Sequence, residues 1–102
     1  MIKSNTNDAK RWFDVLVTGD GCQTAMMTLE PGESSGERNN EHPQSEQILL
    51  VIEGEVTAEI GDEKARLTAG DVVIVPRKAP HRFTNGGDGK ALTFNVYVPP
   101  AY

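Results

Sequence analysis

Several features that identify common protein classes are scarce in this chain of 102 residues. Its single cysteine, Cys22, cannot form an internal disulfide, which fits a reducing cytoplasm. No apolar run approaches the roughly 20 residues that span a bilayer, and the polar N-terminus is unlike a secretory signal. Acidic residues outnumber basic ones by 15 to 10, and the net charge of −5 argues against a nucleic-acid partner. We therefore expect a cytoplasmic protein without a membrane segment.

Short segments rich in β-branched residues alternate with dense turn signals along the chain. The predicted strands cover residues 12–17, 23–29, 48–52, 55–60, 72–75 and 92–98. Such segments, separated by turns every 8–12 residues, predict an all-β sandwich or barrel. No window sustains an amphipathic helix, and at most one helical turn is expected within residues 6–11. We expect one domain over residues 1–102, with residues 1–10 forming an N-terminal arm that is flexible or pairs at a sheet edge.

The apolar pattern also predicts which faces are buried. Alternation in the last strand predicts that Leu92, Phe94, Val96 and Val98 face the interior. Residues 48–52 and 72–75 are apolar on both faces of their predicted strands. The barrel interior can cover only one face of each strand. The other face needs the strand around Trp12 or a second subunit, and we favour an isologous homodimer. The aromatic residues are interpreted as core or interface, and not as a stacking platform.

The one long loop, residues 31–44, is acidic and ends beside a histidine. Loops of this length in small domains tend to be functional. His42 lies at the end of this loop and His81 follows the strand 72–75, so both are expected at the barrel mouth. Histidine is the commonest metal ligand, although a lone loop histidine is more often only hydrogen-bonded. Residues 30–46 carry one base, Arg38, and these acids: Glu30, Glu33, Glu37, Glu41 and Glu46.

Two spaced motifs surround these histidines. The first has the pattern H-x-H-x(3–4)-E-x6-G, and its positions are occupied by Asn40, His42, Gln47 and Gly54. The second has the pattern G-x5-P-x-G-x2-H-x3-N, and its positions are occupied by Gly70, Pro76, Lys78, His81 and Asn85. Together they resemble the motifs of the cupin superfamily, and the resemblance extends over residues 32–85. This resemblance implies a double-stranded β-helix, the jelly-roll barrel of that family.

The resemblance also implies a metal site, which in cupins has three histidines and one glutamate. Carried over by position, the ligands here are His42, Gln47 and His81, with Asn40 as a further candidate. Two neutral oxygens replace a histidine and a carboxylate, which removes the only anionic ligand and weakens binding of a divalent ion. Three nearby carboxylates are candidates to compensate, although Glu46 points outward if Gln47 points inward. These carboxylates are Glu37, Glu41 and Glu46.

Imidazole and oxygen donors suit a divalent transition metal, and do not select among Fe, Ni, Mn, Zn and Cu. Arg77 and Arg82 flank His81 and would attract an anionic small molecule if they face the mouth. The resemblance leaves open a metal-dependent dioxygenase, isomerase or lyase, in which Glu41 or Glu46 is the best candidate for a general base. The alternative is a non-catalytic, metal-free protein that binds a small molecule. A purely structural dimer module gives the two histidines no role.

Overall fold

The computed structural model describes residues 1–36 and 42–102, which fold almost entirely as strands. A 3-10 helix, Thr6–Asp8, is the single helical turn that the sequence predicts, and residues 1–10 join no sheet. Within the described ranges, no helix has the length and apolarity needed to cross a membrane. The strands are β1 (Phe13–Thr18), β2 (Gln23–Leu29), β3 (Glu46–Glu53), β4 (Glu55–Ile60), β5 (Glu63–Thr68), β6 (Val72–Val75), β7 (His81–Thr84) and β8 (Ala91–Val98).

Two antiparallel sheets face each other and form a jelly-roll barrel. The larger sheet has the order β1-β2-β8-β3-β6, and the smaller has the order β5-β4-β7. The predicted double-stranded β-helix is therefore confirmed. Strands β5 and β7 are absent from the sequence-based prediction. In β5 only Leu67 is buried, so this edge strand shows no apolar alternation that could reveal it.

The apolar core fills the space between the sheets. Alternation in β4 is confirmed, because Val56 and Ala58 are buried against the opposite sheet. Burial of a large aliphatic or aromatic side chain contributes roughly 1.5–3 kcal/mol, so this cluster provides most of the driving force for folding. Its buried members are Met27, Leu29, Leu49, Val51, Val56, Ala58, Leu67, Val75, Phe83 and Ala91.

Strand β8 is buried on the face opposite to the one predicted. Thr93, Asn95 and Tyr97 point inward and are at most 2% exposed, whereas Phe94 lies on the outer face. The apolar alternation was misleading because the inward polar groups are hydrogen-bonded. Thr93 Oγ1 donates to the carbonyl of Met27 over 3.1 Å, which removes much of the cost of burying a hydroxyl.

The outer face of the larger sheet is apolar and open in the monomer. Strand β1 lies at the far edge of this sheet from β6, so the segment around Trp12 cannot cover the apolar surface of β3 and β6. The described part of the chain therefore leaves this face open. The exposed apolar residues on the face are Ile48, Ile52, Val72, Ile74 and Val98.

Gly54, the glycine of the first motif, has a clear structural role. It joins β3 to β4 with φ of +78°, a left-handed conformation that favours glycine. A Cβ atom built on Gly54 would lie 2.4 Å from the carbonyl oxygen of Lys90. The tight turn therefore needs both the left-handed backbone and the empty space. Gly61 has a similar φ of +58° but has nothing within 4 Å of an added Cβ.

We expect Gly54→Ala to destabilise the fold by about 2–4 kcal/mol, since it combines left-handed strain with a backbone clash. Gly61→Ala should lower the stability only by the strain of the left-handed backbone, about 1 kcal/mol. Urea denaturation of the two variants and the parent measures both effects. Equal losses in the two variants would contradict the close approach of Gly54 to Lys90.

Candidate functional site

The structure brings His42, Gln47 and His81 together at one end of the barrel. Gln47 faces inward from β3, directly opposite Tyr97 of β8, and is 3% exposed. His81 is the first residue of β7 in the other sheet, and His42 precedes β3. The two imidazole ring centres are 4.6 Å apart, and His42 Nε2 lies 3.0 Å from Gln47 Oε1. The three residues therefore form one cluster.

A short turn fixes the backbone of His42. The amide of Ser45 donates to the carbonyl of His42 over 3.0 Å, and Ser45 Oγ donates to the carbonyl of Pro99 over 2.6 Å. These bonds hold the turn against the segment that follows β8. The His42 ring packs edge-on against Tyr97, with 5.0 Å between ring centres, and is 7% exposed. His42 is thus a buried residue with a defined ring position.

A chain of buried amides sets the orientation of Gln47. Asn95 Nδ2 donates to Thr93 Oγ1 over 3.0 Å and makes longer contacts of 3.4 Å with the carbonyls of Ala25 and Thr93. Asn95 Oδ1 is therefore the acceptor for Gln47 Nε2, at 2.8 Å. Gln47 consequently presents its carbonyl oxygen to His42, an assignment that follows from the hydrogen-bond network.

The two histidines have different hydrogen-bond environments. His81 Nδ1 donates to the carbonyl of Ala79 over 2.9 Å, so in the neutral ring Nε2 carries the lone pair. His42 meets an acceptor at each nitrogen: the Gln47 oxygen at Nε2 and the carbonyl of Ser45, 3.4 Å from Nδ1. A neutral imidazole has a single N–H group, so the shorter contact identifies Nε2 as the donor.

This donor set fits a divalent transition metal with neutral ligands. Gln47 Nε2 and His81 Nδ1 are each hydrogen-bonded to a carbonyl oxygen, an arrangement that orients metal ligands. In the described chain, no group of three His, Cys, Asp or Glu residues could hold an ion. The site therefore contains two imidazoles and an amide, without a described carboxylate.

The other predicted site residues lie elsewhere or outside the described residues. Glu46 alternates with Gln47, faces outward and lies 3.5 Å from Arg77, which also donates to the carbonyls of Gln44 and Val98. Arg82 alternates with inward-facing Phe83 and pairs with Glu59 over 3.0 Å. Strand alternation thus removes Glu46 and Arg82 from the site, and the outer position of its partners removes Arg77. Asn40, Glu41 and Glu37 lie outside the described residues.

A cavity of about 220 Å³ adjoins the histidines. Sequence reasoning missed it, because aromatic residues that are distant in sequence line its walls and no local spacing connects them. No Asp, Glu, Lys or Arg side chain is among the described lining residues. The cavity is lined by Trp12, Phe13, Met27, Ser35, His42, Gln47, His81, Phe83, Tyr97 and Tyr102.

An acidic side chain positions the tryptophan at the cavity rim. Asp14 accepts hydrogen bonds from the backbone amides of Lys10 and Arg11 over 2.6 and 2.9 Å, and from the Arg11 side chain. The Lys10 amide, followed by that of Arg11, lowers the pKa of the Asp14 carboxyl below its ordinary value. The closed loop over residues 10–14 holds Trp12 beside Phe13, with ring centres 5.9 Å apart.

The buried position of Asn95 leads to a prediction about how the stability of a variant depends on pH. Asn95→Asp places a buried carboxyl against the carbonyls of Ala25 and Thr93, which raises its folded-state pKa above the unfolded value of about 3.9. The variant should be about 2–4 kcal/mol less stable than the parent at pH 7. The deficit should shrink as the pH falls toward 4, because the protonated form is the one that the folded state tolerates. Denaturant melts of both proteins across this pH range measure the difference.

The matched control is Asn7→Asp, which makes the same change at an exposed position. It should change stability by less than about 0.5 kcal/mol. A deficit for Asn95→Asp that does not vary with pH would contradict the role of Asn95 as a buried donor to backbone carbonyls.

Comparison with known proteins gives one consistent fold and several different roles. The solved structure of BH2720 from Bacillus halodurans superposes with a TM-score of 0.85, at 25% identity, over 95% of this chain and 76% of that one. Polyketide synthase CurC of Streptomyces cyaneus is 35% identical over 65% of this chain and 42% of its own length. Auxin-binding protein ABP19b of Prunus persica is 29% identical over 83% of this chain and 42% of its own.

The chain spans about half or less of the length of the curated relatives that it matches. The roles in their names differ, so a shared fold does not by itself assign a function here. The family model described as "Cupin domain" matches residues 25–97, which run from within β2 to Tyr97 of β8 and include all three residues of the cluster. Fold, motifs and family model agree, and the chain belongs to the cupin family.

Proposed function

We propose that this cupin holds one divalent transition metal ion between His42, Gln47 and His81, and binds a small uncharged molecule in the adjoining cavity. One observation carries the proposal: His42, Gln47 and His81 cluster at the wall of an aromatic-lined cavity. Hydrogen bonds to Asn95 and to the carbonyl of Ala79 hold Gln47 and His81 in fixed orientations. Such preorganisation is expected of a binding site and is unnecessary for a polar cluster that only fills space.

Each protein group has a distinct role in this proposal. A bound ion would supply a Lewis acid or a redox centre beside the ligand. Ala79 fixes the tautomer of His81 so that Nε2 is a lone-pair donor. When His42 Nε2 is a ligand, its proton is on Nδ1, where the carbonyl of Ser45 accepts it. Gln47 contributes a neutral oxygen, and its amide bond to Asn95 prevents rotation.

The cavity lining favours binding over acid–base catalysis. Its described residues include no carboxylate, and Glu46, which the sequence suggested as a general base, faces outward. An uncharged, largely apolar ligand suits walls of this composition. The relatives support small-molecule chemistry in general terms, because ABP19b is named for binding auxin and CurC for a role in polyketide synthesis.

A metal-free binding protein is the second candidate function. The contact that favours it is the hydrogen bond from His42 Nε2 to Gln47 Oε1, which satisfies both atoms without an ion. In this case the same cavity binds the ligand, and His42 and His81 act only as hydrogen-bonding groups. The two candidates differ in metal content and in the effect of a carboxylate at position 47.

Metal binding tests the first candidate. The parent protein, loaded separately with Fe, Ni, Mn, Zn and Cu ions, should retain about one ion per chain of at least one metal, and the double variant His42→Ala/His81→Ala should retain none. Gln47→Glu should bind the same ion at least about tenfold more tightly, because it restores an anionic ligand. Elemental analysis measures content, and competition with a chelator measures affinity.

Glu46→Gln is the matched control, since it changes the neighbouring carboxylate that faces outward. It should leave metal affinity unchanged within about twofold. The parent and all variants are made with Cys22→Ser, so that the exposed thiol of Cys22 cannot bind metal on its own. Retention of less than about a tenth of an ion per chain for every metal would overturn this candidate and favour the metal-free one.

We also propose that the open apolar face of the larger sheet pairs with a second copy of the chain. Val72 and Ile74 are 59% and 58% exposed, and they lie opposite Leu50 and Ile48 in the β3–β6 ladder. Contiguous apolar patches of this kind mark interaction surfaces, and a surface that is self-complementary about a two-fold axis gives a closed dimer. The topology argues for a partner from outside the chain, because β1 cannot reach this face.

Light scattering tests this pairing. The parent should have twice the 11.1 kDa mass of one chain, whereas Ile74→Lys should have the mass of a single chain, because a buried unpaired ammonium opposes association. Thr68→Lys, on an exposed position of the smaller sheet, is the control and should remain dimeric. A monomeric parent at high protein concentration contradicts the proposal.

A further inference from the structure

The cavity walls are aromatic to an unusual degree for so small a protein. Aromatic residues are only 6% of the sequence, yet most of them meet here. Tyr102 packs against Phe13 and Tyr97, with ring centres 4.9 and 5.1 Å apart and tilted or edge-on planes. Phe83 lies beneath His81, with 6.1 Å between ring centres. Ring edges and faces therefore surround the space beside the histidines.

A buried glutamine holds one of these rings in place. Gln23 is 2% exposed, and its Oε1 accepts hydrogen bonds from the backbone amides of Ala101 and Tyr102 over 3.0 and 2.8 Å. Its Nε2 donates to the carbonyl of Tyr102 over 2.7 Å and to Thr18 Oγ1 over 3.0 Å. All four hydrogen-bonding sites of the amide are used, three of them on the backbone of residues 101 and 102.

The position of the Tyr102 ring does not follow from packing alone. Tyr102 is 53% exposed, so burial of its own side chain stabilises it only in part. The hydrogen bonds between Gln23 and the backbone of residues 101 and 102 nevertheless hold the Tyr102 ring at the cavity, with 6.5 Å between its centre and that of the His42 ring. A buried polar side chain that orders an exposed aromatic residue is typical of a preorganised binding wall.

We infer that the cavity binds a single uncharged aromatic ring that carries a hydroxyl group, and that Tyr102, held by Gln23, forms one wall of this site. The inference rests on the proposed role of the cavity as a ligand site and names the chemical class of the ligand. Aromatic rings prefer edge-to-face and offset contacts, which contribute about 0.5–1.5 kcal/mol per pair beyond area burial. Several such contacts are offered at once by walls of this composition.

The polar groups define the hydroxyl end of the ligand. Gln47 Oε1 accepts one hydrogen bond from His42 Nε2 and has a second lone pair at the wall that His42 and His81 share. In the metal-free protein, a phenolic hydroxyl directed at this wall would find an acceptor there, while its ring would lie among Phe13, Phe83 and Tyr102. A carboxylate in the same place of the metal-free protein would find no Lys or Arg side chain among the described lining residues to compensate its desolvation.

The cavity volume suits a ligand with one ring. A dry apolar cavity of about 150 Å³ is known to hold benzene. The 220 Å³ here accommodates a benzene ring with one or two small substituents. The chain contains one tryptophan, and Trp12 lies in the cavity lining, so its fluorescence reports on occupancy directly.

Three probes of nearly equal size test the inference: 4-methylphenol, 4-methylcyclohexanol and toluene. The first should bind with a dissociation constant below about 1 mM by calorimetry and should change Trp12 emission. The second keeps the hydroxyl but loses the aromatic ring, and the third keeps the ring but loses the hydroxyl. Each should bind at least about tenfold more weakly, and equal affinity of either with 4-methylphenol overturns the inference.

Variants at Tyr102 test the wall. Tyr102→Phe keeps the ring and should bind 4-methylphenol within about twofold of the parent, whereas Tyr102→Leu should lose about two- to tenfold in affinity. Both changes lie at a half-exposed position, so the fold is expected to persist, and thermal melts verify this. Gln23→Met should resemble Tyr102→Leu, because it releases the backbone of Tyr102. Unchanged affinity in Tyr102→Leu overturns the role of this ring.

The same titrations separate this inference from the metal proposal. They are run on metal-loaded protein and on protein treated with a chelator, with metal content measured in both. Binding of 4-methylphenol to protein that takes up no metal supports the aromatic site and overturns the metal site. A full complement of metal without preference for 4-methylphenol over 4-methylcyclohexanol leaves the metal site standing and overturns the aromatic one.

Discussion

The pairing of β3 with β8 is the constraint on which the rest of the structure depends. It places Gln47 opposite Tyr97, and the next inward positions, Leu49 and Asn95, opposite each other. The same ladder extends through β2, so Gln23 also lies beside Tyr97. Because side chains alternate strictly along strands, a shift of one residue would move Gln47 and Asn95 to the outer surface and remove the polar site from the barrel.

Because of this register, the stability of the fold and the geometry of the site depend on the same buried amides. Thr93, Asn95 and Gln47 follow one another along a single path of hydrogen bonds that ends at His42. Unsatisfied, each of these groups would cost about 1–3 kcal/mol, so the path is tolerated only because every donor meets an acceptor. Rigidity of the ligand-facing atoms is therefore a consequence of the requirement to satisfy buried polar groups, and needs no additional scaffold.

The sequence predicted the fold class, six of the eight described strands and the meeting of His42, Gln47 and His81. Turn spacing and motif spacing carry that information locally. The prediction of which side chains of β8 point inward was wrong. The outer face of this strand is the more apolar one, and alternation alone does not show which face is buried. The aromatic cavity depends on contacts between distant parts of the sequence. Gln23 and the Tyr102 backbone that it binds are 79 positions apart, and no local pattern encodes such a contact.

The departures from the family motif are consistent with this architecture. Lys78 replaces the glycine of the second motif and still adopts φ of +67°, so the left-handed turn before His81 is kept at a cost in strain of about 1–2 kcal/mol. Gln47 replaces the glutamate, and its amide can donate to Asn95 while its oxygen faces His42, which an ionised carboxylate could not do. The hydrogen bonds to Asn95 and His42 therefore favour glutamine over glutamate at position 47. A carboxylate there would give up the bond to Asn95 in exchange for a stronger attraction to a cation.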